Sequence, residues 1–459
     1  MKKRLGLLAL ATVLSSATYA ASIDHIQTYT PEYLGNQAQN GMINKSSAYY
    51  NPAGLVHLEN GTYVQLGGQL ALGHEKMTYG GKEYKAQLVQ PIPNFALYKV
   101  EDDSALYWTF GALGGGGDLK YKDGVAGTAV IPDILAGIGL VGFSTNESKV
   151  EGSNLYIQNT LGKVFKVDEK LSLSVAGRAI YGSRTLKGDI YLNGKVPKLE
   201  GGQVVGMESV NETASMDSKR TAWGFGGQLG LNYKASDRLN LAMRYDTRVK
   251  LNFKAHGSEQ GLNSKNPIVG SLNGLGFGAF YPEYSIGTKS RRDLPAILAA
   301  GMSYRVTDDW TVALSGNYYF NKDAKMDSGV KKGSSKLETL KVKEIHPEYD
   351  NGWELALGTE YRLSPKWAVL GSINYADTGA KVTSYDDVEY GLNSVMLGTG
   401  LKYNPDDTTE WVFTVTHFIY DSQDGHYNQK YSNPIFKDVK NPEYSKSITA
   451  MGVSYTKRF

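Results

Sequence analysis

The side chains best able to do chemistry in this sequence are cations. Arg178, Arg184, Arg244, Arg248 and Lys250 recur at even spacing, which on extended chain puts them on one face. An arginine can hold a carboxylate with two parallel hydrogen bonds, so such a face suits the head of an anionic ligand. The same positions also suit a charged ladder that supports a wall, since Asp246 stands between Arg244 and Arg248 and can pair with either. The seven histidines (His25, His57, His74, His256, His346, His417 and His426) form no nucleophile pattern with a serine and an acid, and none pairs at metal-ligand spacing. No phosphate loop is present, and the absence of cysteine excludes disulfides, thiol chemistry and Cys-ligated zinc. The expectation is a binding protein, not an enzyme, with no metal and no cofactor.

Strands must position these residues, because alternation is the dominant pattern. From Leu239 to Phe253 the odd positions are apolar, apart from Thr247, and the even ones are mostly polar or charged. One strand of that length would run roughly 50 Å at about 3.4 Å per residue, well beyond an average globular strand. Leu171, Leu173, Val175 and Tyr181 oppose Ser172, Ser174, Arg178 and Arg184 in the same way, as Trp223, Phe225, Leu229 and Leu231 oppose Gly224, Gly226, Gln228 and Gly230. Lipid on one side and water on the other explains both length and pattern. A mean hydropathy of −0.35 argues against a helical membrane protein.

Short polar turns, such as 166–170, 234–238, 306–309, 364–366 and 404–408, alternate with long loops near 118–150, 187–218, 255–290, 322–348, 378–390 and 422–444. That asymmetry, with about fourteen strands counted up and down, predicts an all-β transmembrane antiparallel barrel with periplasmic turns and external loops. Tyr233, Tyr304, Trp310, Tyr361, Trp367, Tyr403, Trp411 and Tyr455 lie beside the short turns, as an interfacial girdle requires. A soluble β-solenoid or large sandwich, the rival architecture, gives no reason for that clustering. Val125 to Phe143 is nearly uncharged, but Pro132 and its glycines make a helix unfavourable, so an apolar external loop is expected. Leu272, Leu275, Phe277, Phe280 and Tyr281 sit in another long loop, where they would line an external groove or pack on one another.

The two ends set the expected compartment. Lys2, Lys3 and Arg4 precede an apolar run from Leu5 to Leu14, and Thr18-Tyr19-Ala20 offers small residues for cleavage. Residues 1–20 are therefore expected to be a secretory signal, the alternative being an N-terminal anchor. Of the 49 basic residues three lie in that stretch, and of the 46 acidic ones none. The remainder is balanced, which offers no basic face to a nucleic acid. The final strand carries Thr449, Met451, Val453 and Tyr455 on one face and ends at Phe459. A closing aromatic of this kind resembles the signal that outer-membrane barrels present to their assembly machinery, although Lys457 stands where a second aromatic is usual.

Leu34-Gly35-Asn36-Gln37-Ala38, Ser47 and Asn51-Pro52-Ala53-Gly54-Leu55 resemble the N-terminal hatch of the FadL-like family of outer-membrane transporters. The likeness continues through Trp223-Gly224-Phe225-Gly226, Arg244 to Lys250, and Leu294-Pro295-Ala296. Gln39-Asn40-Gly41-Met42 and Asn44 depart from the family pattern in the hatch. The resemblance implies a hatch at 21–60 with Asn51, Pro52 and Ala53 as its motif, inside a fourteen-stranded barrel at 61–459. It also implies a hydrophobic ligand, most readily a long-chain fatty acid and alternatively an aromatic hydrocarbon. Such a ligand is caught at the external loops and leaves sideways through a kinked third strand, past the lipopolysaccharide that blocks direct partitioning. Gly114, Gly115, Gly116 and Gly117 fall where that kink is expected, since glycine weakens strand pairing and permits a bend. A monomer in the Gram-negative outer membrane is the expected form. A general diffusion porin would lack the hatch, and a surface adhesin would rely on the long loops alone.

Overall fold

The usual rule of burial is inverted in this chain: along its strands polar residues are enclosed and apolar ones face outward. Gln65 and Gln69 are buried while Leu66 and Leu70 are exposed, and Ser172, Ser174 and Arg178 are buried while Leu173 and Val175 are exposed. The computed structural model describes residues 26–326, 349–427 and 439–459, apart from Gly116, Ile138, Asp386 and Val388. The expected signal, the first five residues of the expected hatch and most of the loop near 322–348 lie outside the described residues.

Among the described residues fourteen long antiparallel strands form a closed barrel. They are β1 Gly61–Tyr79, β2 Lys82–Glu101, β3 Ser104–Gly114, β4 Lys149–Lys166, β5 Leu171–Glu200, β6 Gln203–Lys234 and β7 Leu239–Asp246. The second half comprises β8 Ile297–Arg305, β9 Trp310–Tyr319, β10 Gly352–Ser364, β11 Trp367–Asp377, β12 Ser394–Asp406, β13 Thr409–Tyr420 and β14 Glu443–Arg458. Each strand pairs with the next, and β14 pairs with β1 from Tyr63↔Arg458 to Thr78↔Glu443, so the sheet closes on itself. Tyr233, Tyr304, Trp310, Tyr361 and Trp367 face outward beside the short turns. Trp367 stacks on Tyr403 with centroids 4.4 Å apart, and Trp411 meets Tyr455 at 4.8 Å.

Three expectations need correction. The stretch 187–218 is a continuous hairpin and not a loop: β5 and β6 run 30 and 32 residues to a turn at Gly201-Gly202. At about 3.3 Å per residue each strand spans roughly 100 Å of chain, far more than an apolar band about 25 Å tall needs. The strand expected from Leu239 to Phe253 instead stops at Asp246; a second strand runs Asn252–Gln260, and pairing with β6 resumes at Lys254. Gln228 faces Asp246 while Thr221 faces Lys254, so seven residue steps on β6 stand against eight opposite. The extra residue reverses the phase: Val249, Leu251 and Phe253 are buried, while Arg248 and Lys250 are exposed. Finally, Val125 to Phe143 is an external segment, as expected, but it holds two short helices, Ala126–Ala129 and Ile131–Gly137. Val125, Val130, Ile134 and Leu135 are buried in one hydrophobic cluster, and no described helix is long and apolar enough to cross a membrane.

Candidate functional site

Residues 26–58 run inside the barrel and meet its inward polar face. Pro31 starts a short helix, Pro31–Gly35, whose Tyr33 N–H donates to Thr30 Oγ1 at 3.3 Å, a side-chain cap on an otherwise orphaned donor. Tyr29, Tyr33 and Tyr50 stack with centroids 4.9 and 5.4 Å apart. Glu354 of β10 gathers this region: Gln27 Nε2 at 3.2 Å, Tyr33 Oη at 3.2 Å and Asn374 Nδ2 at 3.1 Å donate to it, as does Tyr319 Oη. Close approach depends on bare backbone in the wall, since a Cβ on Gly358 would lie 1.8 Å from Asn36 Oδ1. Asn51 Nδ2 donates to Met42 O at 3.1 Å and Asn232 Oδ1 at 2.8 Å. Pro52 then opens the 3₁₀ turn Pro52–His57, and Ser172 Oγ donates to Ala53 O at 2.6 Å. The Asn-Pro-Ala motif thus joins the N-terminal segment to β5 and β6.

Of the five expected lumen cations, three are buried and two are not. Arg178 donates twice to Gln158 Oε1, at 3.0 and 2.7 Å, and once to Thr247 O at 3.3 Å. Arg184 donates to Asn154 Oδ1 at 2.6 Å and pairs with Glu389, which also pairs with Arg292. Arg244 donates to Tyr49 O and Tyr50 O and lies 3.4 Å from Asp246. Arg248 points outward to Asp323 O and Asp293, and Lys250 is exposed. The three inward arginines are therefore engaged in the wall and the N-terminal segment.

A cation that sequence reasoning missed is Arg220, opposite Arg184 in register and 2% exposed. It stacks over Tyr284 at 4.5 Å and Phe253 at 5.3 Å, with Nη1 3.8 Å from Glu283 Oε1. The boundary placed at 218 hid it, because nothing in Asp217-Ser218-Lys219-Arg220 distinguishes a loop end from a continuing strand. The expected external groove is also corrected. Leu272, Leu275, Phe277 and Tyr281 are buried in one cluster with Leu186, Ile190 and Met216, and Phe280 packs against it. Hydrophobes in a long loop reach a low free energy by covering the hairpin's inner face.

The wall opens at the end of β3. Pairing with β2 runs from Glu101↔Ser104 only to Asn94↔Gly111. On the other side the register with β4 shifts between Ala112 and Gly114, a bulge that bends the strand. Gly115 has φ +104, and a Cβ there would lie 2.4 Å from Asn154 O. Of the expected glycine run, Gly116 lies outside the described residues. Among the described residues, β2 from Lys82 to Pro93 has no ladder partner in β3. A partly open cavity of about 100 Å³ lies against this gap. Tyr29 of the N-terminal segment, Leu88 and Ile92 of β2, and Phe418 and Tyr420 of β13 line it, as do Gly114 and Gly115. None of the five expected cations does.

Comparison with known proteins agrees with this geometry. A family model described as outer membrane protein transport protein (OMPP1/FadL/TodX) matches residues 141–459. No curated protein matches the chain. Among solved structures, a Pseudomonas aeruginosa FadL homologue is similar at 14% identity and a TM-score of 0.61, over 96% of this chain and 100% of that one. The P. putida toluene transporter TodX is similar at 15% identity and a TM-score of 0.60, over 96% and 99%. The Ralstonia pickettii toluene transporter TbuX follows at 16% identity and a TM-score of 0.57, over 95% and 99%. At such identities the structural likeness concerns the fold.

Proposed function

The chain belongs to the outer membrane protein transport protein family (OMPP1/FadL/TodX), outer-membrane channels for hydrophobic compounds and not enzymes, and from this premise we propose a route for its cargo. Residues 21–60 act as a hatch and residues 61–459 as the barrel around it. A hydrophobic small molecule is caught at the extracellular loops, held in the cavity, and released sideways where β3 parts from β2. The observation that carries this reading is that one cavity touches both the N-terminal segment and the end of β3. An unpaired peptide group facing lipid costs several kcal/mol, so a wall gap needs a polar partner behind it. Tyr49 Oη reaches β3 just before the gap, donating to Phe110 O at 3.1 Å.

Long-chain fatty acids and aromatic hydrocarbons both suit the apolar lining. The position of Arg178, Arg184 and Arg244 away from this cavity favours the uncharged cargo there. The chain works as a monomer in a lipopolysaccharide-bearing membrane, and its last strand, ending at Phe459, is what the barrel assembly machinery reads.

Expressed in a Gram-negative host lacking its own uptake channel, the chain should speed uptake of radiolabelled p-xylene or dodecanoate several-fold over an empty vector. Sucrose permeation should stay unchanged. Uptake of both probes at the vector level would overturn the reading, and rapid sucrose passage would identify an open porin instead.

A further inference from the structure

The polar lining of the cavity beside the wall gap offers hydrogen-bond acceptors without a matching cation. Gln69 is 5% exposed and lines the cavity. Its Nε2 donates to Tyr29 O, while its Oε1 accepts no hydrogen bond from any described residue. Asn94 repeats the arrangement: it is 3% exposed, its Nδ2 reaches Tyr49 Oη at 3.4 Å, and its Oδ1 has no donor among the described residues. Asn94 faces Gly67 across the β1–β2 ladder, two residues from Gln69, and it is the residue at which β2 stops pairing with β3. Of these two amide oxygens, that of Gln69 belongs to a residue lining the cavity, whereas that of Asn94 lies behind the lining, close over Gly67.

A buried acceptor left without a donor is costly, and a ligand that brings the donor recovers that cost on binding. The charge nearby gives a carboxylate no advantage. Glu75 is the one charged side chain among the described lining residues, and it is 3% exposed. Lys446 Nζ lies 3.8 Å from Glu75 Oε1, donates to Tyr390 O at 2.7 Å and sits 4.6 Å above the Tyr390 ring. Glu75 and Lys446 therefore balance one another, and among the described lining residues there is no cation to receive an anionic ligand.

We propose that this cavity selects an uncharged amphiphile, an apolar body carrying one hydroxyl or amide N–H donor, over both the carboxylate and the bare hydrocarbon of the same body. The inference rests on the transport reading above and specifies its cargo. Sites built to hydrogen-bond a ligand group discriminate strongly against the analogue that lacks it.

The test uses the full chain in lipid nanodiscs and isothermal titration at pH 7, with empty discs as the blank for partitioning. The probes are 4-propylphenol, 4-propyltoluene and 4-propylbenzoate, which share one body; the phenol is uncharged at this pH. The phenol should bind about ten-fold more tightly than either analogue, the worth of one buried hydrogen bond. Gln69→Met should lower the phenol-to-toluene ratio, and Glu75→Gln should narrow the gap between phenol and benzoate. Equal constants for phenol and toluene, tighter benzoate, or a ratio that survives Gln69→Met would overturn the proposal. The wild-type comparison decides the matter even where a variant fails to fold. Binding of the toluene analogue with no phenol advantage overturns this inference alone, whereas no binding by any of the three overturns the transport reading as well.

Discussion

Arg244 Nη1 donates to Tyr49 O at 2.6 Å and to Tyr50 O at 3.1 Å, so one guanidinium nitrogen on the barrel wall holds the last carbonyls of a helical turn in the N-terminal segment. Such carbonyls have no partner within their own helix, and a cation is favoured beside them. The residue that sequence alone offered as a ligand clamp is thereby a tether.

Replacing that tether should loosen the segment. Arg244→Ala removes charge-assisted hydrogen bonds worth about 1.5–3 kcal/mol each, so planar-bilayer recordings should show brief openings absent from the wild type. Deleting residues 26–58 should give a permanently larger conductance. If the deletion leaves conductance unchanged, this segment does not plug the lumen, and if only Arg244→Ala is silent, the tether is dispensable.

Glu354 is expected to matter more for stability than for passage. Its substitution by alanine strands Gln27, Tyr33, Tyr319 and Asn374, all of which donate to it in the closed interior. Losing a buried hub of this kind should cost about 3–5 kcal/mol, read as a lower urea midpoint in detergent. Glu354→Gln keeps an acceptor and should lose less. Equal losses for both variants would show that the network does not depend on the carboxylate.

The phase reversal after Asp246 makes a labelling prediction. A cysteine at Arg248 should react readily with a membrane-impermeant maleimide on whole cells, because its side chain is 47% exposed, whereas one at Arg244, 6% exposed, should stay protected. The chain has no native cysteine to interfere. Equal protection at both positions would mean that the strand keeps one phase throughout.

Gly115→Val tests the opening itself. The left-handed φ disfavours a β-branched residue, and the added Cβ meets Asn154 O at 2.4 Å, so the end of β3 must move. Valine also favours regular pleated structure, which should re-pair the strand and close the gap. Uptake of an apolar probe should fall steeply, while heat-modifiable gel mobility stays that of a folded barrel. Normal uptake by a folded variant would exclude Gly115 from the exit.

Alternation, turn chemistry and the girdle of Tyr233, Trp310 and Trp367 made the barrel legible from sequence, because period two is a local property of each strand. The resemblance of Asn51-Pro52-Ala53 to the family's hatch motif pointed to the segment that runs inside it. What could not be read was decided by pairing between distant strands. Whether Arg248 faces in or out depends on one extra residue between Asp246 and Lys254 relative to β6, and a one-residue shift reverses every side chain beyond it. Whether Arg184 is a clamp or a strut depends on Glu389, 205 residues away. Leu272 and Phe277 were recognisable as hydrophobes out of place in a loop, but only the unexpectedly long β5–β6 hairpin supplied the surface that buries them. Gln69 carries no motif at all: its significance comes from lining a cavity beside the point where β2 loses its partner, a relation that exists only once the barrel has closed.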